Sequence, residues 1–167
     1  MALSLPETGI SKVIGLLEIL HDHGNEEETV ELSGELGMTL EDLLPVIEAA
    51  QLLSLITISG GKMKATPEGI AVVTNATLHG RKEKIRERVL ALEIFKKALP
   101  VIVSKSAGGK THKKHLLKLL KAEMPKEKAE KTFKRLVEWG RHAGVIGYHS
   151  ESEEVFIIPQ PKKEPKN

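Results

Sequence analysis

The sequence contains no cysteine. Disulfides and thiolate metal sites are therefore excluded, and the chain fits a reducing cytoplasm. Aromatics make up only 3% of residues, with one Trp and one Tyr, so Leu, Ile, Val and Ala must build the core. No apolar run approaches the roughly 18 residues of a membrane span. The start, Met1-Ala2-Leu3-Ser4-Leu5-Pro6-Glu7, lacks a basic segment followed by a long apolar one, so it is not a signal peptide. No Gly-x-Ser-x-Gly elbow and no His-Glu-x-x-His helix is present. These absences leave no catalytic constellation. The expectation is a cytoplasmic non-enzyme without a cofactor.

What is present describes an ordinary globular chain: 167 residues, 40% hydrophobic and 29% charged, enough to bury a core. The net charge of +2 hides an asymmetry. Residues 1–80 hold 3 Lys+Arg against 12 Asp+Glu, and residues 81–167 hold 22 against 11. An acidic half at −9 and a basic half at +11 point to two modules that attract each other or a second chain.

Periodicity supplies the elements. Ile10–His21 reads as a helix with Val13, Ile14, Leu16, Leu17 and Leu20 on one face. Glu26–Glu28 reads as an acidic turn, and Val30–Leu36 as a short helix stopped by Gly37. Thr39 caps a third helix running to about Leu52, with Glu41 and Asp42 in its first turn. Leu43, Leu44, Ile47 and Ala50 or Gln51 are its expected inward residues. Leu55–Ile58 and Lys62–Ala65 flank Gly60-Gly61 as a hairpin. Thr66-Pro67-Glu68-Gly69 starts a further helix.

Arg81–Leu99 reads as the longest helix, stopped by Pro100. It is apolar on more than one side, which marks a connector between modules and a surface for a homodimer. A basic helix follows at Lys113–Ala122, after a loop at 106–109. The last helix opens after Pro125, with Ala129, Phe133, Leu136, Gly140 and Ala143 inward. Gly144 is its C-cap candidate. Val145–His149 and Glu154–Ile158 close as a hairpin. The fold expected is mainly α with small β-hairpins (α+β): two tandem winged helix-turn-helix-like modules joined by a long helix. The divisions are 1–80 (acidic module), 81–99 (connector), 100–158 (basic module) and 159–167 (a disordered Pro/Lys tail).

Each chemical candidate has a plainer reading. Gly109-Lys110-Thr111 after Val101-Ile102-Val103 invites a phosphate loop, but Ser104 stands where the opening glycine belongs. A solvated loop is the better reading. His21 with His23, or His112 with His115, supplies two ligands where zinc takes three or four. Lys126, Lys128, Lys131, Lys134 and Arg135 could meet phosphates. Glu127, Glu130 and Glu138 interleave with them, as on any salt-bridged helix face.

The most specific stretch is Trp139-Gly140-Arg141-His142-Ala143, followed by Tyr148 and the closing hairpin. With Gly15-Leu16-Leu17-Glu18, Glu41-Asp42-Leu43-Leu44-Pro45, Glu48-Ala49-Ala50-Gln51-Leu52-Leu53, Thr66-Pro67-Glu68-Gly69 and Arg81-Lys82 in order, it resembles the AAA-associated C-terminal domain family. That domain follows the ATP-binding cassette in some nitrate/sulfonate/taurine-type ABC importer ATPases. Similarity runs over about residues 5–158. Gly144, Ala65 and His142 depart from the family's usual acidic residue, Leu and aromatic.

The resemblance implies a double winged-helix, non-catalytic, regulatory or protein-interaction region whose partner is the transporter ATPase. No cassette precedes the domain in this sequence, so the expectation is either a free-standing relative or an excised fragment, and Met1 favours the former. Trp139, Arg141 and Tyr148 are the candidate interaction residues. Packing is the stronger reading for Trp139-Gly140, whereas Arg141 could pair with an acid of the first module or of a partner. The alternative is a winged-helix DNA-binding regulator that uses the five basic residues of the last helix.

Overall fold

The computed structural model describes residues 3–104 and 109–159. It is mainly helical, with two small antiparallel sheets. The expected disordered tail beyond Pro159, and most of the loop placed at 106–109, lie outside the described residues.

One order of elements occurs twice. In the first half, α1 (Ile10–Asp22), β1 (Glu26–Glu28), α2 (Thr29–Glu35), α3 (Leu40–Leu52), β2 (Ile56–Ser59) and β3 (Lys62–Ala65) follow one another. Two further helices, α4 (Pro67–Val73) and α5 (Leu78–Leu90), come next. The second half runs α6 (Glu93–Ser104), β4 (Lys110–His112), α7 (Lys113–Lys121), α8 (Lys126–His142), β5 (Ile146–His149) and β6 (Glu154–Ile157). The sheets correspond in order, β1-β3-β2 and β4-β6-β5.

Local chemistry sets most boundaries. The Thr39 hydroxyl accepts the Asp42 N–H at 3.1 Å, and the Thr66 hydroxyl accepts the Gly69 N–H at 3.1 Å, so both expected N-caps form. Gly60 and Gly61 have φ of 58° and 77°, as a tight two-residue hairpin turn of the I′ type requires. α8 ends as expected at Gly144, whose φ is 70°. The Gly144 N–H donates to Arg141 O and the Val145 N–H to Gly140 O, which is the Schellman pattern. α3 ends in the same way, with Ser54 and Leu55 donating to Gln51 O and Ala50 O.

Two stretches expected to be non-strand are strands. Glu26–Glu28 is not a turn but β1, with Glu26, Glu27 and Glu28 opposite Lys64, Met63 and Lys62. Lys62 Nζ lies 2.6 Å from Glu26, so charge complementarity across the ladder offsets the poor strand propensity of glutamate. Lys110-Thr111-His112 is likewise not loop but β4, paired with β6.

The single helix expected over Arg81–Leu99 is two helices, α5 and α6, divided at Ala91-Leu92. Propensity would not break a helix at Leu-Ala-Leu; burial does. Ile85, Val89 and Leu92 turn inward on one side, and Ile94, Phe95, Ala98 and Ile102 on the other. Leu92 and Ile94 would stand about 200° apart on a straight helix, so only a break buries both sets. Pro100 does not stop α6, which runs to Ser104. The carbonyl it leaves without a donor is that of exposed Lys96, within reach of water. The apolar residues expected to form a dimer surface on this segment are mostly consumed by the chain's own core.

That core is continuous through both halves. Leu3 and Leu5, from the segment ahead of α1, belong to it. The Trp139 indole N–H, on the last helix, donates to the Thr8 carbonyl at 2.9 Å.

Candidate functional site

Two places merit attention: a groove where α3 meets α8, and a side-chain cluster at the end of α1. The groove encloses about 840 Å³. One wall is α3, through Pro45, Glu48 and Leu52; the other is the start of α8, through Glu127, Lys128 and Lys131. Ser4–Glu7 lies between them. Its charged lining is three glutamates and two lysines, so it offers no concentrated positive field for phosphate.

The basic residues of α8 are divided by this arrangement. Lys126, Lys128, Lys131 and Lys134 are exposed. Lys131 pairs with Glu7 at 3.7 Å, and half-buried Arg135 with Glu138 at 2.8 Å. Glu7–Gly9 lies against α8: Thr8 accepts the Trp139 bond, and a Cβ on Gly9 would collide with Glu138. A duplex approaching α8 along this side would meet the segment and its Glu7.

Trp139 is fully buried, so it reaches no partner. Gly140 explains the helix's close approach: a Cβ there would overlap Ile146 Cγ1 and stand 3.2 Å from Phe95 Cε1. Tyr148 is half-buried, edge-on to Phe133 with centroids 5.5 Å apart. Arg141 is exposed, and its guanidinium has no ion pair among the described residues. It therefore does not bridge to the acidic half of its own chain.

Sequence reasoning missed the outer face of α3. Leu44, expected inward, is 52% exposed, with Leu40 at 49% and Leu52 at 42%. These three recur at multiples of four residues, with Glu48 completing the row, so they form one stripe along the helix. The inward face holds Leu43, Ile47 and Ala50, as expected, together with Val46 and Ala49. A helix with two apolar faces was there to be read in Leu-Glu-Asp-Leu-Leu-Pro-Val-Ile, but only packing decides which face stays open.

Neither histidine pair is a site as such. His21 Nδ1 lies 2.9 Å from Asn25 Oδ1, and His112 Nδ1 accepts the Lys114 N–H as the N-cap of α7. His23 belongs to a different grouping. It ends α1, Glu27 is the central residue of β1, and Glu35 is the last residue of α2. His23 Nε2 lies 2.6 Å from Glu35 Oε2 and 3.9 Å from Glu27 Oε2. Burial raises the Glu27 pKa, and the nearby Glu35 adds to this.

A second hollow, of about 390 Å³, lies among α1, α5 and the end of α8, lined in part by Arg81, Lys82 and His142. Arg81 donates to Val73 O at the end of α4 and pairs with Glu18 of α1 at 3.0 Å. The His142 pKa is lowered, first by burial and then by Lys82, against a weaker opposing pull from Glu138. The folded chain thus resists protonating His142, whereas the unfolded chain takes up that proton near pH 6.5. Its stability contribution is full above that pH and declines as pH falls below it. Thermal melts between pH 7 and pH 5.5 should show a shallower loss for His142→Gln than for the parent. The difference is a fraction of the ~1.4 kcal/mol per pH unit of one full proton, because the ring is partly screened by solvent.

Among the described residues no helix is long and apolar enough to cross a membrane. Residues 30–149 match the family model described as the C-terminal AAA-associated domain. No curated protein and no solved structure shows a detectable match to the chain.

Proposed function

Starting from this chain's membership in the C-terminal AAA-associated domain family, we propose that it is a non-catalytic, cytoplasmic protein-interaction module. Its two helix–strand–helix–helix–hairpin units are winged helices in this reading. Its partner is the ATP-binding component of a nitrate/sulfonate/taurine-type ABC importer, the partner that the family resemblance implies, and docking regulates that component. The observation that carries the reading is the outer face of α3. In a helix-turn-helix that face would enter a DNA groove; here it presents Leu40, Leu44, Glu48 and Leu52. Glutamate repels a phosphate backbone and leucine offers it no hydrogen bond, whereas the two together suit an apolar protein surface with a basic rim.

The test is complex formation between the purified chain and the ATP-binding subunit without nucleotide, with ADP and with ATP. A complex is expected in at least one state, weakened about tenfold or more by Leu44→Lys, since a charge would be buried at the contact. No complex in any state would overturn the proposal. DNA binding remains the second reading on the strength of exposed Lys126, Lys128 and Lys134. A gel shift at low salt that shows a salt-sensitive complex, abolished by Lys128→Glu with Lys134→Glu, would favour it instead.

A further inference from the structure

We propose that His23, Glu27 and Glu35 form a binding site for a divalent transition-metal cation of the Zn²⁺ class. Among the described residues these are the side chains that bring three potential ligand atoms within 4.8 Å of one another. They come from three elements, so the arrangement is a product of the fold and not of a local run of acids.

The spacing suits a metal. Four-coordinate Zn²⁺ with bonds of 2.0–2.1 Å places its ligand atoms about 3.3 Å apart. The observed 2.6 Å and 3.9 Å from His23 Nε2 fall on either side of that value, and the three ligand atoms all lie within 4.8 Å of one another, so small side-chain shifts bring them to an ion. Imidazole with two carboxylates is a borderline set that takes Zn²⁺ well and Mg²⁺ poorly.

An independent observation points to a ligand. Glu27 is only 8% exposed, and its Oε2 is buried with no hydrogen-bond donor. A carboxylate oxygen withdrawn from water without a partner is costly. No Lys or Arg pairs with Glu27, Glu31 or Glu35 among the described residues. Among the described residues His23 is the one basic group paired with Glu27 and Glu35, at hydrogen-bonding distance only to Glu35. A cation between the three would satisfy the buried oxygen and relieve the repulsion of Glu27 by Glu35. It would also lie near the ends of α1 and α2, whose dipoles present partial negative charge there.

The corresponding place in the second half is built differently. Thr111 is the buried central residue of β4, as Glu27 is of β1. A hydroxyl there makes no such trap, so one ion per chain is expected. Its effect would be to tie the end of α1, the edge strand and α2 together within the acidic half.

The experiment uses the full chain without a histidine tag. Zn²⁺ is titrated in competition with a chromophoric chelator, and Co²⁺ is followed through its visible ligand-field bands. One ion per chain is expected, with binding weakened at least about tenfold by His23→Asn and by Glu35→Gln, as loss of a direct ligand exceeds the usual cost of losing a supporting contact. Both side chains are well exposed, at 42% and 38%, so both variants should keep the parent's circular dichroism. His112→Asn should bind as the parent does. Zn²⁺ should raise the melting temperature of the parent in a concentration-dependent way, and not that of the His23→Asn chain. Absence of stoichiometric binding, or binding equally strong in His23→Asn and Glu35→Gln, would overturn the proposal.

Discussion

Trp139→Ala is expected to remove about 3–5 kcal/mol of stability, the usual loss when a large buried aromatic is truncated. Trp139 is fully buried and is the largest side chain in the core. It also holds the segment ahead of α1 through its bond to Thr8 O. A domain of this size has roughly 5–15 kcal/mol in total, so the variant should sit near its unfolding midpoint at modest urea. Trp139→Phe separates the two contributions. It keeps most of the apolar volume but orphans the Thr8 carbonyl, for about 1–3 kcal/mol. Urea denaturation of the three proteins checks both numbers. A loss below about 1 kcal/mol for the alanine variant would mean that the indole is not the anchor that the packing describes.

The second large effect is expected at Gly69. A methyl group there would overlap the carbonyl oxygen of Leu55 and stand 3.1 Å from Leu17 Cδ2. That oxygen is main chain and already accepts the Thr66 N–H at 3.0 Å, so no rotamer change relieves the clash. Alanine normally gains up to about 1 kcal/mol over glycine inside a helix; overpacking of about 1–3 kcal/mol outweighs it. Gly69→Ala should therefore lower the melting temperature. Gly15→Ala is the contrast. Gly15 lies within α1 with nothing within 4 Å of the added carbon, so helix propensity acts alone and the melting temperature should rise. If both variants shift the same way, close packing at α4 is not what sets the sign.

These two glycines show how far the sequence could be read. Both sit in stretches that carry the family resemblance, yet one is required by a carbonyl oxygen from the turn between α3 and β2 and the other is not. The local signals were sufficient where the determinant was local: the Thr39 and Thr66 caps, the Gly60-Gly61 turn, and the end of α8 at Gly144. They failed where the partner was distant in the chain. Glu26–Glu28 has no strand propensity of its own and becomes β1 only because Lys62-Met63-Lys64 lies opposite. The break at Ala91-Leu92 has no breaker residue; it follows from two sets of apolar side chains that must turn to different sides of the core.

The candidate sites were less legible than the fold, for the same reason. Trp139 is conspicuous in the sequence because it is rare, but its burial makes it architectural. Leu44 looked like core because leucines usually are. His23 was visible, but its acidic neighbours were not paired with it. Glu27 faces inward only once β1 is a strand, since side chains alternate along it. Glu35 arrives from the far end of α2. The charge asymmetry points to attraction between the halves or to a second chain; within the chain it yields ion pairs such as Lys131–Glu7 and Arg81–Glu18.

The bond from Trp139 to Thr8 spans 131 residues of chain, and this sets a delay during synthesis. Thr8 leaves the ribosome well before the helix whose indole holds it. At the usual 5–20 residues per second, roughly ten seconds separate the two. During that interval the segment around Thr8 must be held provisionally, without the bond that anchors it in the finished fold. Completion of the core awaits the final helix, so the two halves, alike in plan, do not mature independently.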